Sequence, residues 1–237
     1  MKISLLKSKH SKFPDLNIKF YPISEESDIV IRWGSQKTIP SPKLFEINSR
    51  ESTILCNNKR ATRRILEKNN IPTPKTYYNK SEAIKNSSFP LIGRPRYHYG
   101  GRFFNIINSK NELIKDSKSK YYSEYISKER EFRVYVFNGS VYDIQEKFPR
   151  NRSIIQWNSS MENGIFKSMK RKNWPKELCE IALSATKIIK MNCSAVDVIE
   201  KDDKFYVLEL NSSPRMNTYV AEKFKNQINL LLKKYKD

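Results

Sequence analysis

"VLELNSSPRM", residues 207–216, is the stretch on which the reading of this chain turns. It begins as an apolar run suited to a buried strand, yet Glu209 and Asn211 stand two residues apart within it, and a Ser-Ser-Pro turn follows at once. Side chains in a strand repeat every two residues, so the carboxylate and the carboxamide share one face. An ionised Glu held against a core requires a cation or a metal to offset its desolvation.

The residues just upstream supply a partner. "SAVDVIEKDDKFYVLELN", residues 194–211, reads as a hairpin. With Asp202, Asp203 and Lys204 as a three-residue loop, Lys201 pairs with Phe205 and Asp197 falls opposite Glu209. Asp197, Glu209 and Asn211 then converge, and hard oxygen donors of this kind suit magnesium, which keeps waters and shares its coordination with phosphates. The hairpin alone leaves a second reading open, in which Asp197 and Glu209 each pair with a nearby Lys or Arg.

The rest of the second half is legible by pattern. "EFRVYVFNGSVYDIQEKF" is a hairpin around Asn138-Gly139. Leu178, Ile181, Ala182, Ala185, Ile188 and Ile189 follow helical spacing and predict an amphipathic helix over 176–190. A last helix from about Tyr219 carries Val220, Phe224, Ile228 and Leu231. In the first half, "SDIVIRWGS" is the one convincing strand of the opening third, and the Pro-rich "TIPSPKLFEI" after it excludes helix. "NNKRATRRILEKNNIPTPKTYY" predicts a basic helix with a stripe of Ala61, Ile65 and Leu66, stopped by Asn69-Asn70 and Pro72/Pro74. "FPLIGRPRYHYGGRFFNII" predicts two strands joined by a loop that carries Gly100 and Gly101, and Ser109 with Glu112 is a capping box. The fold class is α+β with mostly antiparallel strands.

Composition narrows the function classes. No span approaches the ~20 apolar residues of a membrane helix. The N-terminal "MKISLLKSKHSKF" has too short an apolar stretch for a signal peptide, which predicts a cytoplasmic protein. Cys56, Cys179 and Cys193 form neither a zinc pattern nor a disulfide framework. The net charge of +20 favours an acidic or phosphorylated partner. Abundant Asn, Ile and Lys equally fit drift in an AT-rich coding sequence.

The tail motif resembles that of the ATP-grasp ligases, nearest to the branch that adds glutamate to ribosomal protein. That branch's "GVD", hairpin and "EVNSSPG" signature is similar to "AVDVIEKDDKFYVLELNSSPRM". The resemblance spans roughly residues 55–218 and implies an ATP-grasp fold: a short pre-grasp region over 1–57, a first subdomain with a glycine-containing loop over 58–125, and a second with the metal site over 126–237. It implies ATP and Mg2+ as cofactors, with Asp197, Glu209 and Asn211 holding the metal. By the same resemblance Lys59 and Arg94 lie along the phosphates, Arg94 standing where relatives have Lys. Gly100 and Gly101 belong to a loop that closes over them. Glu124, Tyr125 and Ile126 meet the adenine and Glu131 the ribose, and Arg133 points into the site. Arg215 stands where relatives have Gly.

The implied activity is joining of a carboxylate to an amine through an acyl phosphate, with release of ADP and phosphate. Charge neutralisation and positioning matter more in such a reaction than a covalent catalyst. Lys147, Arg150 and Arg152 in "EKFPRNRS" are candidates for the substrate carboxylate or the moving phosphoryl group, with a solvated basic loop as the alternative. The competing function is a nucleic-acid-binding protein on a degenerate grasp scaffold, supported by aromatic-basic mixing in "RPRYHYGGRFF" and "KYYSEYISK". A third reading is a ligase whose acceptor is an acidic peptide or is linked to RNA.

Overall fold

The computed structural model describes residues 1–95, 104–149 and 164–235. The first sheet is parallel: β1 (Ile3–Lys7), β2 (Ile29–Trp33) and β3 (Phe45–Ile47), with β2 central. Two helices follow, α1 (Arg50–Asn57) and α2 (Lys59–Lys68). The second sheet holds β4 (Thr76–Tyr77), β5 (Leu91–Arg94), β6 (Asn105–Ile107) and β7 (Tyr121–Glu124) in the order β4-β7-β5-β6, interleaved with the short helices α3 (Lys80–Asn86) and α4 (Lys110–Lys115). The third sheet contains β8 (Arg130–Phe137), β9 (Ser140–Pro149), β10 (Gly164–Ser168), β11 (Cys193–Lys201) and β12 (Lys204–Asn211), ordered β10-β9-β8-β11-β12 and antiparallel throughout. α5 (Lys176–Ile188) and α6 (Thr218–Lys234) complete the chain. The opening third therefore holds three strands where the pattern gave one, and β3 lies inside the Pro-rich passage. Among the described residues no helix is long and apolar enough to cross a membrane.

Local chemistry sets the boundaries. Asn58 caps α2 by accepting from the Ala61 N–H, and Asn70 ends the run with a φ of 56°. Ser109 accepts from Glu112 N–H while the Glu112 carboxylate takes the N–H of Asn108, which makes the expected cap of α4. The tips of both long hairpins are two-residue turns with positive φ at both positions, Asn138-Gly139 and Asp202-Asp203. That is the mirror-image turn whose twist matches paired strands.

The second tip corrects the three-residue loop expected from sequence. Lys201 pairs with Lys204, not Phe205, yet Asp197 still lies opposite Glu209, because the register shifts by one residue at Leu208. A bulge restores the pairing that the shorter turn would have lost. β9 does the same: Val136 pairs with Val141 and Tyr135 with Asp143, leaving Tyr142 as the extra residue.

These two bulges divide the third sheet into two unlike faces. Phe132, Val134, Val136, Ile144, Val196, Val198, Phe205, Val207 and Leu210 form an apolar face against α5, with Cys56, Leu66 and Ile71 reaching it from the α1–α2 side. On the other face, Tyr135, Phe137, Cys193 and Ala195 pack against the first sheet and α6. Further along that same face stand Glu131, Arg133, Gln145, Lys147 and Asp197. Without the extra residues, alternation would send Lys147, Glu209 and Asn211 to the apolar side.

Candidate active site

Charges alternate in sign across the polar face. Glu131, fully buried, receives Lys128 on one oxygen and Lys147 on the other, the latter at 2.6 Å. Lys147 also lies 3.0 Å from Asp197 Oδ1. Arg133 closes the row with a two-pronged contact, its Nε and Nη2 each donating at 2.8 Å to the two oxygens of Asp197. The strands dictate this order, since Glu131 pairs with Lys147, and Arg133 with both Gln145 and Asp197. The Phe166 ring from β10 covers the end, 5.1 Å from the Arg133 guanidinium and 5.4 Å from the Lys147 ammonium. Lys147 is thus a buried strand residue and not part of a solvated loop.

Pairing keeps Asp197 and Arg133 ionised despite burial. Burial alone would raise the pKa of Asp197, but Arg133 and then Lys147 hold it well below the usual carboxylate range. Burial works against the Arg133 charge, and Asp197 more than restores it. Lys128 moves the other way, because its burial outweighs the attraction of Glu131.

Asp197, Glu209 and Asn211 meet at the edge of this row, with the Asn211 amide nitrogen turned toward both carboxylates. Asn211 Nδ2 lies 3.3 Å from Asp197 Oδ2 and 3.4 Å from Glu209 Oε1. Two carboxylates and a carboxamide within contact of one another are a hard donor set of the kind magnesium takes. Among the described residues no group of three or more His, Cys, Asp or Glu gathers for a metal, and here the third donor is an amide. The set fits the ion, with one qualification from the geometry. Both oxygens of Asp197 already accept from cations, so it has only its remaining lone pairs to offer.

Opposite the acids stands a cationic wall. Lys59, at the start of α2, donates to the carbonyl of Leu210, the residue between Glu209 and Asn211. Burial disfavours its ammonium, yet the Glu209 carboxylate together with Cys56, Tyr121 and Asp197 offsets that and raises its pKa. Arg94 ends β5, where it pairs with Tyr121 of β7. The Tyr121 hydroxyl is pushed up by burial, against the pull of Arg94, Arg63 and Lys59. At the end of β7, Glu124 and Tyr125 donate their N–H groups to Lys75 and Pro90, and the Glu124 carboxylate accepts from the Tyr77 hydroxyl at 2.6 Å. Ile126 follows, half-buried. Gly100, Gly101, Arg150 and Arg152 lie outside the described residues.

Sequence reasoning passed over several residues that the fold brings here. Arg63 is the clearest: it lies one helical turn beyond Lys59 on the same face of α2 and is 3% exposed. The four-residue spacing was a visible signal. Lys128 and Phe166 had none, because each reaches the row only through the strand order. The loop after β12 is fixed from the first sheet, since Ser213 receives a 2.9 Å hydrogen bond from Ser11. Gly34, with a φ of 71°, lies so close that a Cβ there would meet Ser213 Oγ at 2.7 Å.

Comparison with known proteins gives three concordant results. A family model described as an ATP-grasp domain matches residues 56–219. The chain is 27% identical over 199 residues to a coenzyme gamma-F420-2:alpha-L-glutamate ligase of Methanococcus maripaludis, covering 77% of this chain and 67% of that protein. It is 28% identical over 210 residues to the alpha-aminoadipate–LysW ligase LysX of Saccharolobus solfataricus, covering 75% and 71%. Among solved structures, D-alanine–D-alanine ligase from Bacillus anthracis superposes with a TM-score of 0.70 at 17% identity, over 98% of this chain and 96% of that one. A RimK domain ATP-grasp protein from Sphaerobacter thermophilus gives 0.65 at 13% identity, over 96% and 99%.

Proposed function

The chain belongs to the ATP-grasp family, and from that premise we propose that its polar face joins a carboxylate to an amine at the expense of ATP, with Mg2+. The convergence of Asp197, Glu209 and Asn211 beside Arg133 and Lys147 is the observation that carries this reading. In the reaction a carboxylate oxygen bonds to the γ-phosphorus as the bond to ADP breaks. The amine nitrogen then bonds to the acyl carbon, phosphate leaves, and the amine gives up a proton. Magnesium, when bound, neutralises phosphate charge and orders the chain for in-line transfer.

In this assignment Glu209 and Asn211 are the direct metal ligands, and Asp197 contributes while holding Arg133 and Lys147 in place. Those two cations stabilise charge that develops on the moving phosphoryl group. Glu131 positions Lys147, a role its two lysine contacts favour over a ribose contact. Lys59 and Arg94 serve the phosphates, and Glu124, Tyr125 and Ile126 border the adenine, the first two through their carbonyls because their N–H groups are committed. Gly100 and Gly101 keep the loop-closure role that the family resemblance implies, and Arg152 stays a candidate for the substrate carboxylate or the moving phosphoryl group. We divide the chain functionally at residues 57 and 125, with the metal site in the last part.

The names of the two sequence relatives pair glutamate with coenzyme gamma-F420-2 and alpha-aminoadipate with LysW, so an amino acid joined to a larger acceptor is the substrate pair we favour. The buried acids count against the nucleic-acid alternative, since a phosphate backbone has no use for them. Separation of the nucleotide products after incubation with magnesium and a competent substrate pair tests the assignment. ADP with inorganic phosphate is expected, and stoichiometric AMP would exclude the acyl-phosphate route.

A further inference from the structure

The cationic wall holds one residue that the proposed chemistry has not used. Arg63 leaves α2 toward β12 and donates from Nη2 to the carbonyl of Leu208, 2.6 Å away. Leu208 is the extra residue of the bulge. Pinning that carbonyl is a sufficient structural task, but it occupies only one side of the guanidinium. Nη1 is buried and has no hydrogen-bond partner among the described residues, and the same is true of Nε of Arg94.

A buried donor left unmet is costly, and a guanidinium cannot relieve the cost by losing its proton. Arg63 and Arg94 also feel one another: burial first, and the Arg94 charge second, weaken the hold of Arg63 on its proton. Two buried cations that act on one another and each keep an idle N–H are best completed by an anion. The acid nearest in sequence does not serve, for Glu67 accepts from the Tyr78 hydroxyl. The segment that follows Arg94, residues 96–103, reads "RYHYGGRF" and adds two more Arg and no carboxylate. Lys59 contributes a third positive charge, drawn to Glu209.

We propose that Arg63, which sits one turn beyond Lys59, forms with Arg94 a second anion clamp that takes a phosphate oxygen of the bound nucleoside triphosphate through Nη1 of Arg63 and Nε of Arg94. The proposal rests on the ligase reading of the same site and adds a binding residue to it. A multiply charged phosphate chain suits three cations facing one acid better than a single carboxylate does. Arg63 then links two events: the side chain that holds the bulge behind Glu209 also touches the nucleotide whose phosphates Glu209 serves through the metal.

Calorimetry with ATP, adenosine and inorganic tripolyphosphate on the full chain separates this role from a structural one. For Arg63→Met, affinity for ATP and tripolyphosphate is expected to fall by roughly 10- to 100-fold, the worth of one hydrogen bond to a charged group, with adenosine unchanged. Arg63→Lys supplies a variant that keeps the charge and one donor for Leu208. It should lose about tenfold for ATP and nothing for adenosine. Equal losses for ATP and adenosine, or no loss in Arg63→Lys, would reduce Arg63 to a brace for the bulge and overturn the inference. Wild-type protein that binds neither ATP nor tripolyphosphate would bring down the ligase reading itself.

Discussion

The two walls of the site handle charge in opposite ways. On the third sheet every buried charge has its complement within reach: Lys128, Glu131, Lys147, Asp197 and Arg133 alternate in sign and saturate one another. On the α2–β5 wall, Arg63 and Arg94 keep buried N–H groups without partners among the described residues. The first arrangement is complete before anything binds and acts as a fixed frame. The second holds donors in reserve, as the proposed anion clamp requires. A site that transfers a phosphoryl group needs both, because preorganised charge stabilises the transition state only where it does not have to move.

The largest expected effect removes the acid that faces both walls. Glu209→Ala should lower kcat by about a thousandfold or more, since one metal-borne interaction is worth several kcal/mol, while circular dichroism and the melting profile stay near wild type. Wild-type turnover at saturating ATP would break the comparison at its centre.

Next in size, Lys147→Met tests whether the frame is saturated. It strands Glu131 and Asp197 between fewer cations, and breaking a buried pair costs about 3–5 kcal/mol, read as a lower urea midpoint at neutral pH. An unchanged midpoint would show that the row is not a frame at all.

A smaller effect follows from the depressed pKa of Asp197. A carboxyl whose folded pKa lies below its unfolded value stabilises the fold above the unfolded value, about 4, and that contribution is lost as pH falls toward the folded pKa. The wild-type acid limb should therefore carry about 2–3 kcal/mol that Asp197→Asn lacks, measured by denaturation from pH 7 down to pH 2.

The smallest change lies far from both walls. Asp203→Gly places glycine at a φ of 56° and should raise stability by up to about 1 kcal/mol with no effect on turnover. A change in turnover would mean that the hairpin tip is coupled to the site.

What the sequence disclosed and what it hid follow from how local each signal is. The Asn138-Gly139 turn, the Ser109–Glu112 cap and the helical stripe of α5 are set by neighbours within a few residues, and all three are legible. β1, β3 and β10 are short and gain most of their stability from pairing with distant chain, so no periodic pattern announces them. Lys147 falls at the end of the Asn138-Gly139 hairpin but in "EKFPRNRS", basic enough to leave a solvated loop as an alternative, and only Glu131 and Asp197, on two other strands, draw it inside. The Asp197–Glu209 pairing follows from sequence by a different route from the real one: a short turn and a bulge together consume the same number of residues as a longer turn alone. Arg63 was the signal left unread, a cation in phase with Lys59 on a helix expected to bury apolar residues.

The Leu208 bulge also works as a joint. Distal to it, from Val198 to Val207, the hairpin runs in one register, and proximal to it Glu209 and Asn211 run in another, held by the Arg133 contact to Asp197 and by Arg63 at the Leu208 carbonyl. Residues 202–204 at the tip are exposed. A dye or a short peptide grafted there would sit beyond the joint, and its strain would be absorbed before it reached the metal-binding side chains. The tip is thus a natural handle for watching this enzyme at work without disturbing the chemistry a few residues away.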